Sequence, residues 1–325
     1  MHVPFVHVNA MQTRKLLLLM CGALLVSMTL FMTVKSGGHW DFVLGFRGGK
    51  LVALLVVAYA ISISTMLFQT ITSNRILTPY IMGFDALYLL IQTVLIFTFG
   101  GIGYVALGHV YKFGFEIGIM LFASLVMFST LFLKAQDDLY RMVLTGVILG
   151  VLFRSLTTFL QRVIDPEEFA VVQSVSFAQF NVIRMDLLSV SLVIVAIVSL
   201  IIWRYRYELD VIALGRDHAI NLGVNYKFSM VLILFLISVL VSISTALVGP
   251  VSFFGLLVSG IVYPLMKTHR HAVLIPAAFL IGSLILVTGQ LIFEHFLGMQ
   301  SVLSVVVEFL GGIVFIIFLL RRKAL

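Results

Sequence analysis

Residues 227–248 read Lys-Phe-Ser-Met-Val-Leu-Ile-Leu-Phe-Leu-Ile-Ser-Val-Leu-Val-Ser-Ile-Ser-Thr-Ala-Leu-Val, and this stretch decides the class of fold. Beyond Lys227 it carries no charge, and a helix needs about 20 apolar residues to cross the hydrocarbon core of a membrane. Applied outward from this run, the same criterion predicts about ten spans, at residues 15–34, 50–70, 79–99, 117–133, 139–160, 186–203, 227–248, 254–266, 272–293 and 303–320. The eighth is short, so we expect it to be tilted or partly re-entrant.

The composition leads to the same interpretation. The chain has 325 residues, of which 61% are hydrophobic and 11% are charged, with a mean hydropathy of +1.16. Soluble domains carry about 25% charged residues, so the sequence predicts an all-α polytopic protein embedded in a lipid bilayer. We expect one transmembrane domain over residues 1–325, with residues 1–14 as an N-terminal tail. The net charge of +7 does not indicate nucleic-acid binding, because the cations flank the spans and form no basic patch with interleaved aromatic residues.

The distribution of lysine and arginine predicts the orientation, because cytoplasmic loops are enriched in these residues. With the N-terminus inside the cell, most of them fall on the cytoplasmic side, including Arg14, Lys15 and the cluster at 321–323. An even number of spans then places the C-terminus inside as well. The sequence therefore predicts a multi-pass protein of a cytoplasmic membrane, with both termini in the cytoplasm.

The sequence lacks the motifs that would make this chain an enzyme. Gly45-Phe-Arg-Gly-Gly-Lys50 resembles a phosphate-binding loop only superficially, because Leu51 stands where that loop needs serine or threonine. Work driven by nucleotide hydrolysis would therefore need a separate ATPase subunit. His269 and His271 lie in a basic turn, which is more typical of a cytoplasmic loop than of a metal site. We predict no metal site and no cofactor bound by this chain.

Apart from residues at the very ends of the predicted spans, three charged residues lie at membrane depth, namely Asp85, Arg154 and Glu308. Charged side chains in lipid cost several kcal/mol and usually face a bundle interior or an aqueous cavity. One interpretation places these three on a translocation path or a proton relay. The other is an interhelical pair, or a position near a span end, with Asp85 close to the inner headgroups and Glu308 close to the outer ones.

A short polar insert separates two of the longest spans. It reads Glu208-Leu-Asp-Val-Ile-Ala-Leu-Gly-Arg-Asp-His-Ala-Ile-Asn-Leu-Gly-Val224. Four residues make about one helical turn, so in a helix Gly215, Ala219 and Gly223 would share one smooth face that another protein can approach closely. The insert is predicted to be either such a docking element, with a short helix on the cytoplasmic face, or an ordinary solvated loop.

Several segments resemble, in order, the iron-siderophore and vitamin B12 family of ABC importer permeases. The insert matches the family's Ala-Leu-Gly…Ala…Leu-Gly-Val pattern, and the other segments are Arg47-Gly-Gly-Lys50, Gln69-Thr-Ile-Thr-Ser-Asn74 with Pro79 and Gly83, Gly249-Pro-Val-Ser-Phe-Phe-Gly-Leu256, Pro264, and Gly312 ahead of Leu319-Leu-Arg-Arg322. The resemblance covers roughly residues 40–322. Residues 82–88 resemble the branch associated with catecholate-type siderophores. The chain departs from the family pattern at Gly49, Arg75 and Leu265.

The resemblance implies a type II ABC importer permease with ten helices, which pairs with a second permease subunit as a homo- or heterodimer. Two cytoplasmic ATPase subunits would use ATP, and a periplasmic or lipid-anchored substrate-binding protein would deliver a ferric siderophore. Residues 208–224 would then be the segment that couples to the ATPase, through Ala213, Leu214, Gly215, Arg216, Asp217, Ala219, Leu222 and Gly223.

The resemblance also gives Arg47 and Lys50 a role at the outer face, as cations that meet acidic residues of the binding protein. Without the resemblance, these two residues are explained by snorkelling at a helix start. The alternative function is a secondary transporter driven by protons or sodium, in which Asp85 or Glu308 would be the relay.

Overall fold

The computed structural model describes residues 10–35, 40–134, 139–180, 185–295 and 303–322, and this part of the chain is built from helices. They are α1 Ala10–Thr33, α2 Trp40–Ile71, α3 Phe84–Ala106, α4 His109–Lys134, α5 Leu139–Val163, α6 Pro166–Val175, α7 Met185–Ile212, α8 Arg216–Asn221, α9 Tyr226–Val248, α10 Phe254–Met266, α11 His271–His295 and α12 Leu303–Arg322. Eight are long and apolar enough to cross a membrane. The predicted all-α polytopic fold is confirmed.

Each predicted span corresponds to one helix, and α6 and α8 are short additions. We call the end of the bundle that the basic residues predict to be cytoplasmic the inner end. Helix α10 has 13 residues and is therefore about 20 Å long, which fits the short eighth span. Several boundaries differ from the predicted spans. Helix α2 begins at Trp40, α4 begins at His109 and α7 ends at Ile212. Helix α6 lies between the fifth and sixth predicted spans.

Helix α2 is the centre of the bundle and packs against α7, α9, α10 and α11. Its buried face carries small hydroxyl side chains, including Ser62 and Thr65. Glycines on neighbouring helices lie directly against them, since a Cβ at Gly255 would overlap Thr65 and one at Gly282 would overlap Ser62. Small residues at such contacts let transmembrane helices approach closely.

The chain re-enters the bundle after α2, and this determines the position of Asp85. A single 3-10 turn, Pro79–Met82, precedes α3 and is buried. Gly83 follows with a φ of 88°, and a Cβ there would lie 2.6 Å from the Gly150 backbone in α5. Gly150 is the twelfth residue of α5, which places it about 16 Å along that helix. Asp85, in the first turn of α3, therefore lies within the bundle, beside the middle of α5.

A buried polar cluster that the sequence analysis missed joins α3 and α4. Gln92 donates to Glu116 Oε1 at 2.7 Å and accepts from the Tyr104 hydroxyl at 2.7 Å. Lys112 contacts the same hydroxyl and lies 3.9 Å from Glu116. A break in α3 at Gly100, with φ 71° and ψ 166°, lets the end of the helix turn back. Glu116 escaped notice because the fourth span was predicted to begin one residue later.

Candidate functional site

The insert at the inner end folds as a tight turn, the short helix α8 and a second turn. Helix α7 ends at Ile212, and Gly215 precedes α8 with a φ of 101°. Gly223 follows α8 with a φ of 83°. The Asn225 side chain then accepts from the Phe228 amide and caps α9. Positive φ is a conformation that glycine adopts readily, so both glycines are explained by the two turns around α8.

The expected smooth face of small residues is not present. Gly215 and Gly223 lie outside α8, and Ala219 is 0% exposed because it faces the rest of the chain. The surface that α8 and its turns present outward is formed by larger side chains. Leu214, Ile220 and Leu222 are 60%, 45% and 64% exposed.

These three apolar side chains are accompanied by polar ones. Arg216, Asp217 and His218 are exposed, and Arg216 lies 3.8 Å from the Asp217 carboxylate. We call Leu214, Ile220 and Leu222, together with these polar residues, the inner patch. Ile220 was missed, although the exposed side of a short helix around a buried Ala219 would have indicated it. The patch has the composition of a docking site, an apolar centre with a polar rim.

The two histidines of the inner turn have separate partners. Arg75 reaches His269 Nδ1 at 3.4 Å and stacks on Tyr263 at 4.4 Å. Partial burial lowers the pKa of His269, and the nearby charges of Arg75 and His271 lower it further. His271 is buried and bonds to Asp210 and Thr70.

The structure brings Asp85, Arg154 and Glu308 to one place, at the surface of the bundle where α3, α5 and α12 meet the Ser252 turn. Arg154 Nη2 lies 3.6 Å from Asp85 Oδ2. Ser252, between α9 and α10, donates its hydroxyl to the same Asp85 oxygen at 3.4 Å, and its backbone amide bonds the Glu308 carboxylate. The side chain of Arg154 is 60% exposed and that of Asp85 is 19% exposed. An ion pair between helices was one of the two interpretations left open by the sequence.

Arg47 and Lys50 lie inside α2 and already have partners within the chain. The Arg47 guanidinium donates to the carbonyls of Phe31, Val34 and Lys35 at 3.2, 2.7 and 3.4 Å, so it caps the end of α1. Lys50 is 5% exposed and forms an ion pair with Glu294 of α11. Of the two, only the partly exposed Arg47 is accessible to another protein in this conformation.

Comparison with known proteins gives a consistent result. The FecCD transport family model matches residues 11–322. The chain is 40% identical over 313 residues to the petrobactin import system permease protein YclO of Bacillus subtilis (strain 168), covering 96% of this chain and 99% of that protein. It is 36% identical over 275 residues to the petrobactin import system permease protein FatC of Bacillus anthracis, covering 85% and 78%.

A solved structure supports the fold. A metal-chelate type ABC transporter in an inward-facing conformation superposes with a TM-score of 0.80 and 20% identity, over 95% of this chain and 99% of that one. The helical bundle and the family match define the class, a multi-pass permease subunit of an ABC importer whose ATPase is a separate subunit. The chain belongs to the FecCD transport family. The predicted transport subunit without enzymatic activity is confirmed, and a secondary transporter is not favoured.

Proposed function

We propose that this protein is the permease subunit of an importer that moves a ferric siderophore across the bacterial cytoplasmic membrane. The observation that carries the proposal is the 40% identity, over nearly the full length of both chains, to a petrobactin import permease. In this proposal the inner end faces the cytoplasm, both termini are inside, and the chain itself binds no cofactor. A second permease subunit, homologous or identical, completes the transporter.

The inner patch is proposed to receive the ATPase subunit. Complete burial of one leucine side chain contributes about 1.5–3 kcal/mol, so Leu214, Ile220 and Leu222 provide enough apolar surface for a specific contact. Arg216 and Asp217 would orient the ATPase on that surface. Because the patch is joined through short turns to α7 and α9, movement of the ATPase would be passed on to both helices.

The Asp85, Arg154 and Glu308 cluster is proposed to face the translocation path. Among the described residues of α5, Arg154 lies beside exposed apolar side chains such as Val151 and Leu152. A guanidinium on a lipid-facing surface is costly, whereas a surface shared with a second permease subunit and a water-filled path accommodates it. An exposed cation on this path would attract a cargo with negative charge.

The outer ends of α1 and α2 are proposed to meet the substrate-binding protein. Arg47 is the candidate cation for that contact, and Lys50 would contribute only if it exchanged Glu294 for a residue of the binding protein. Charges at the rim of an interface mainly affect the rate and register of association. The expected effect of Arg47 is therefore on the association rate.

Reconstitution tests the function directly. We expect the permease, assembled with its ATPase subunits in proteoliposomes, to take up iron-labelled ferric petrobactin only when ATP and the binding protein are present. Uptake that persists without the ATPase and disappears when the proton gradient is collapsed would overturn the proposal in favour of a secondary transporter.

A matched pair of variants tests the inner patch. Leu222→Asp places a carboxylate at the centre of the patch and is expected to abolish co-purification with the ATPase subunits. Asn221→Asp adds the same charge at the neighbouring exposed residue and is expected to retain it. Glycine variants are less informative, because any side chain at Gly215 or Gly223 would strain a backbone with positive φ. Equal co-purification of both aspartate variants would exclude the patch as the docking site.

A further inference from the structure

The last turn of α7, next to the inner patch, carries a carboxylate that bonds to another helix. Asp210 lies three residues before Ala213, where the segment leading to α8 begins. Its Oδ1 accepts from the backbone amide of His271 at 2.6 Å and lies 2.7 Å from the Nδ1 of the same residue. One side chain of α7 thus holds the first residue of α11 at two points.

This contact satisfies the start of α11. The first backbone amides of a helix have no partner within the helix, and a negative charge at that end is favourable. Asp210 supplies both the acceptor and the charge from a different helix. A displacement of the end of α7 would therefore move the start of α11 or break a buried contact, since His271 is only 2% exposed.

The contact continues from α11 to the central helix. His271 Nε2 lies 2.8 Å from the Thr70 hydroxyl in the last turn of α2, and that hydroxyl also donates to the Met66 carbonyl at 2.8 Å. The path from the inner patch to the centre of the bundle thus has three side chains, Asp210, His271 and Thr70. Helices α2 and α11 also pack closely along their length, as the Ser62 contact with Gly282 shows.

The neighbouring carboxylate of α7 provides a useful contrast. Glu208 accepts from the Ser229 hydroxyl of α9 at 3.1 Å. This bond joins α7 and α9, the two helices that flank α8, to each other. Asp210 is bonded to α11 instead. Two acidic residues two positions apart therefore lie on nearly opposite faces of α7 and join the same helix end to different partners.

We propose that Asp210 and His271 are positioning residues that transmit the movement of the inner patch to α2 and α11. Thr70 completes the connection. The proposal rests on the proposed function, because it assumes that an ATPase moves the patch. Loss of the connection would let the ATPase bind and hydrolyse ATP while less of its movement reached the central helices.

The test measures the ratio of ferric petrobactin transported to ATP hydrolysed in the reconstituted, fully assembled importer. Asp210→Ala and His271→Ala are each expected to lower this ratio about ten-fold, a usual size for coupling between sites, while ATP hydrolysis stays near that of the wild type. The double variant is expected to be no worse than either single variant, because both remove the same connection. Glu208→Ala is the matched control and is expected to keep the ratio close to that of the wild type.

Thr70→Val provides a variant that leaves the start of α11 intact, in case the alanine variants assemble poorly. It keeps the shape of the side chain and removes the hydroxyl, so a several-fold lower ratio is expected. The inference would be overturned if Thr70→Val and the alanine variants that assemble kept the wild-type ratio of transport to ATP hydrolysis. It would also be overturned if Glu208→Ala lowered this ratio as much as Asp210→Ala. If the wild-type importer itself shows no ATP-dependent uptake, the proposed function fails instead.

Discussion

Helices α2 and α5 are both apolar enough to cross a membrane, yet they occupy different environments. In α2, 83% of the residues in its most apolar part are buried within the chain, against 17% in α5. Each is linked to an ion pair. The Lys50–Glu294 pair of α2 and α11 is 5% and 6% exposed, and the Arg154–Asp85 pair of α5 and α3 is 60% and 19% exposed.

This difference bears on what covers the exposed surface of α5. Lipid covers exposed apolar side chains, so exposure alone does not distinguish a lipid-facing helix from a subunit interface. An exposed cation within an apolar helix does distinguish them, because placing a charge against lipid is costly. Helix α2 is therefore covered almost entirely by its own chain. Under the proposed function, α5 would be covered by the second subunit or would line the path between the subunits.

The largest loss of stability is expected when the buried ion pair between Lys50 and Glu294 is broken. Lys50→Met leaves the Glu294 carboxylate buried without its cation, and breaking such a pair costs about 3–5 kcal/mol. The double variant Lys50→Met/Glu294→Met removes both charges and is expected to recover most of that loss. Thermal unfolding of the purified protein in detergent measures both variants. A single variant as stable as the double one would show that the pair is not buried as described.

A smaller loss of stability is expected from the packing around α2. Gly255→Leu inserts a side chain against Thr65, and overpacking of this kind costs about 1–3 kcal/mol. The control is Gly22→Leu on α1, where no other atom lies within 4 Å of the added Cβ. The unfolding temperature is expected to fall for Gly255→Leu and to stay unchanged for Gly22→Leu. Equal values would contradict the central position of α2.

The sequence predicted the all-α polytopic fold, because apolar run length directly reflects membrane thickness. It could not rank the helices by burial, since α1 is nearly as apolar as α2 and yet mostly exposed, and only the packed structure separates the two. The start of α2 was missed because Gly45, Gly48 and Gly49 favour a loop locally, and packing overrides that preference.

The inner segment was predictable in position and only partly in detail. The sequence predicted a short helix in the insert, but the glycine spacing placed Gly215 and Gly223 on that helix, whereas they form the turns on either side of it. Spacing also does not reveal that Ala219 faces inward. The connection from Asp210 to Thr70 joins residues from three distant parts of the chain, and a single sequence carries no signal for such a contact.

The exposed pair on α5 is expected to matter for transport more than for stability. Arg154→Leu should lower the free energy of unfolding less than Lys50→Met does, because the Arg154 guanidinium is largely exposed and its attraction to Asp85 is screened by its surroundings. ATP-dependent uptake of ferric petrobactin should nevertheless decrease markedly. Uptake assays and thermal unfolding of the same preparation separate the two effects. Undiminished uptake would remove Arg154 from the path and assign α5 to a lipid-facing or purely structural surface.

The smallest change in stability is expected from His269 and Arg75, which lie at the inner end of the bundle. Because the pKa of His269 is lowered from its usual 6.5 in the folded protein, the unfolded chain binds more protons as the pH falls below about 6.5. Stability should therefore decrease as the pH falls from the ordinary histidine pKa toward the lowered one. Arg75→Gln removes one cause of the shift and should make that decrease shallower. The control is Arg216→Gln, which removes a cation elsewhere at the inner end and should leave the slope of unfolding temperature against pH unchanged. Equal slopes in the wild type, Arg75→Gln and Arg216→Gln would mean that Arg75 does not affect His269.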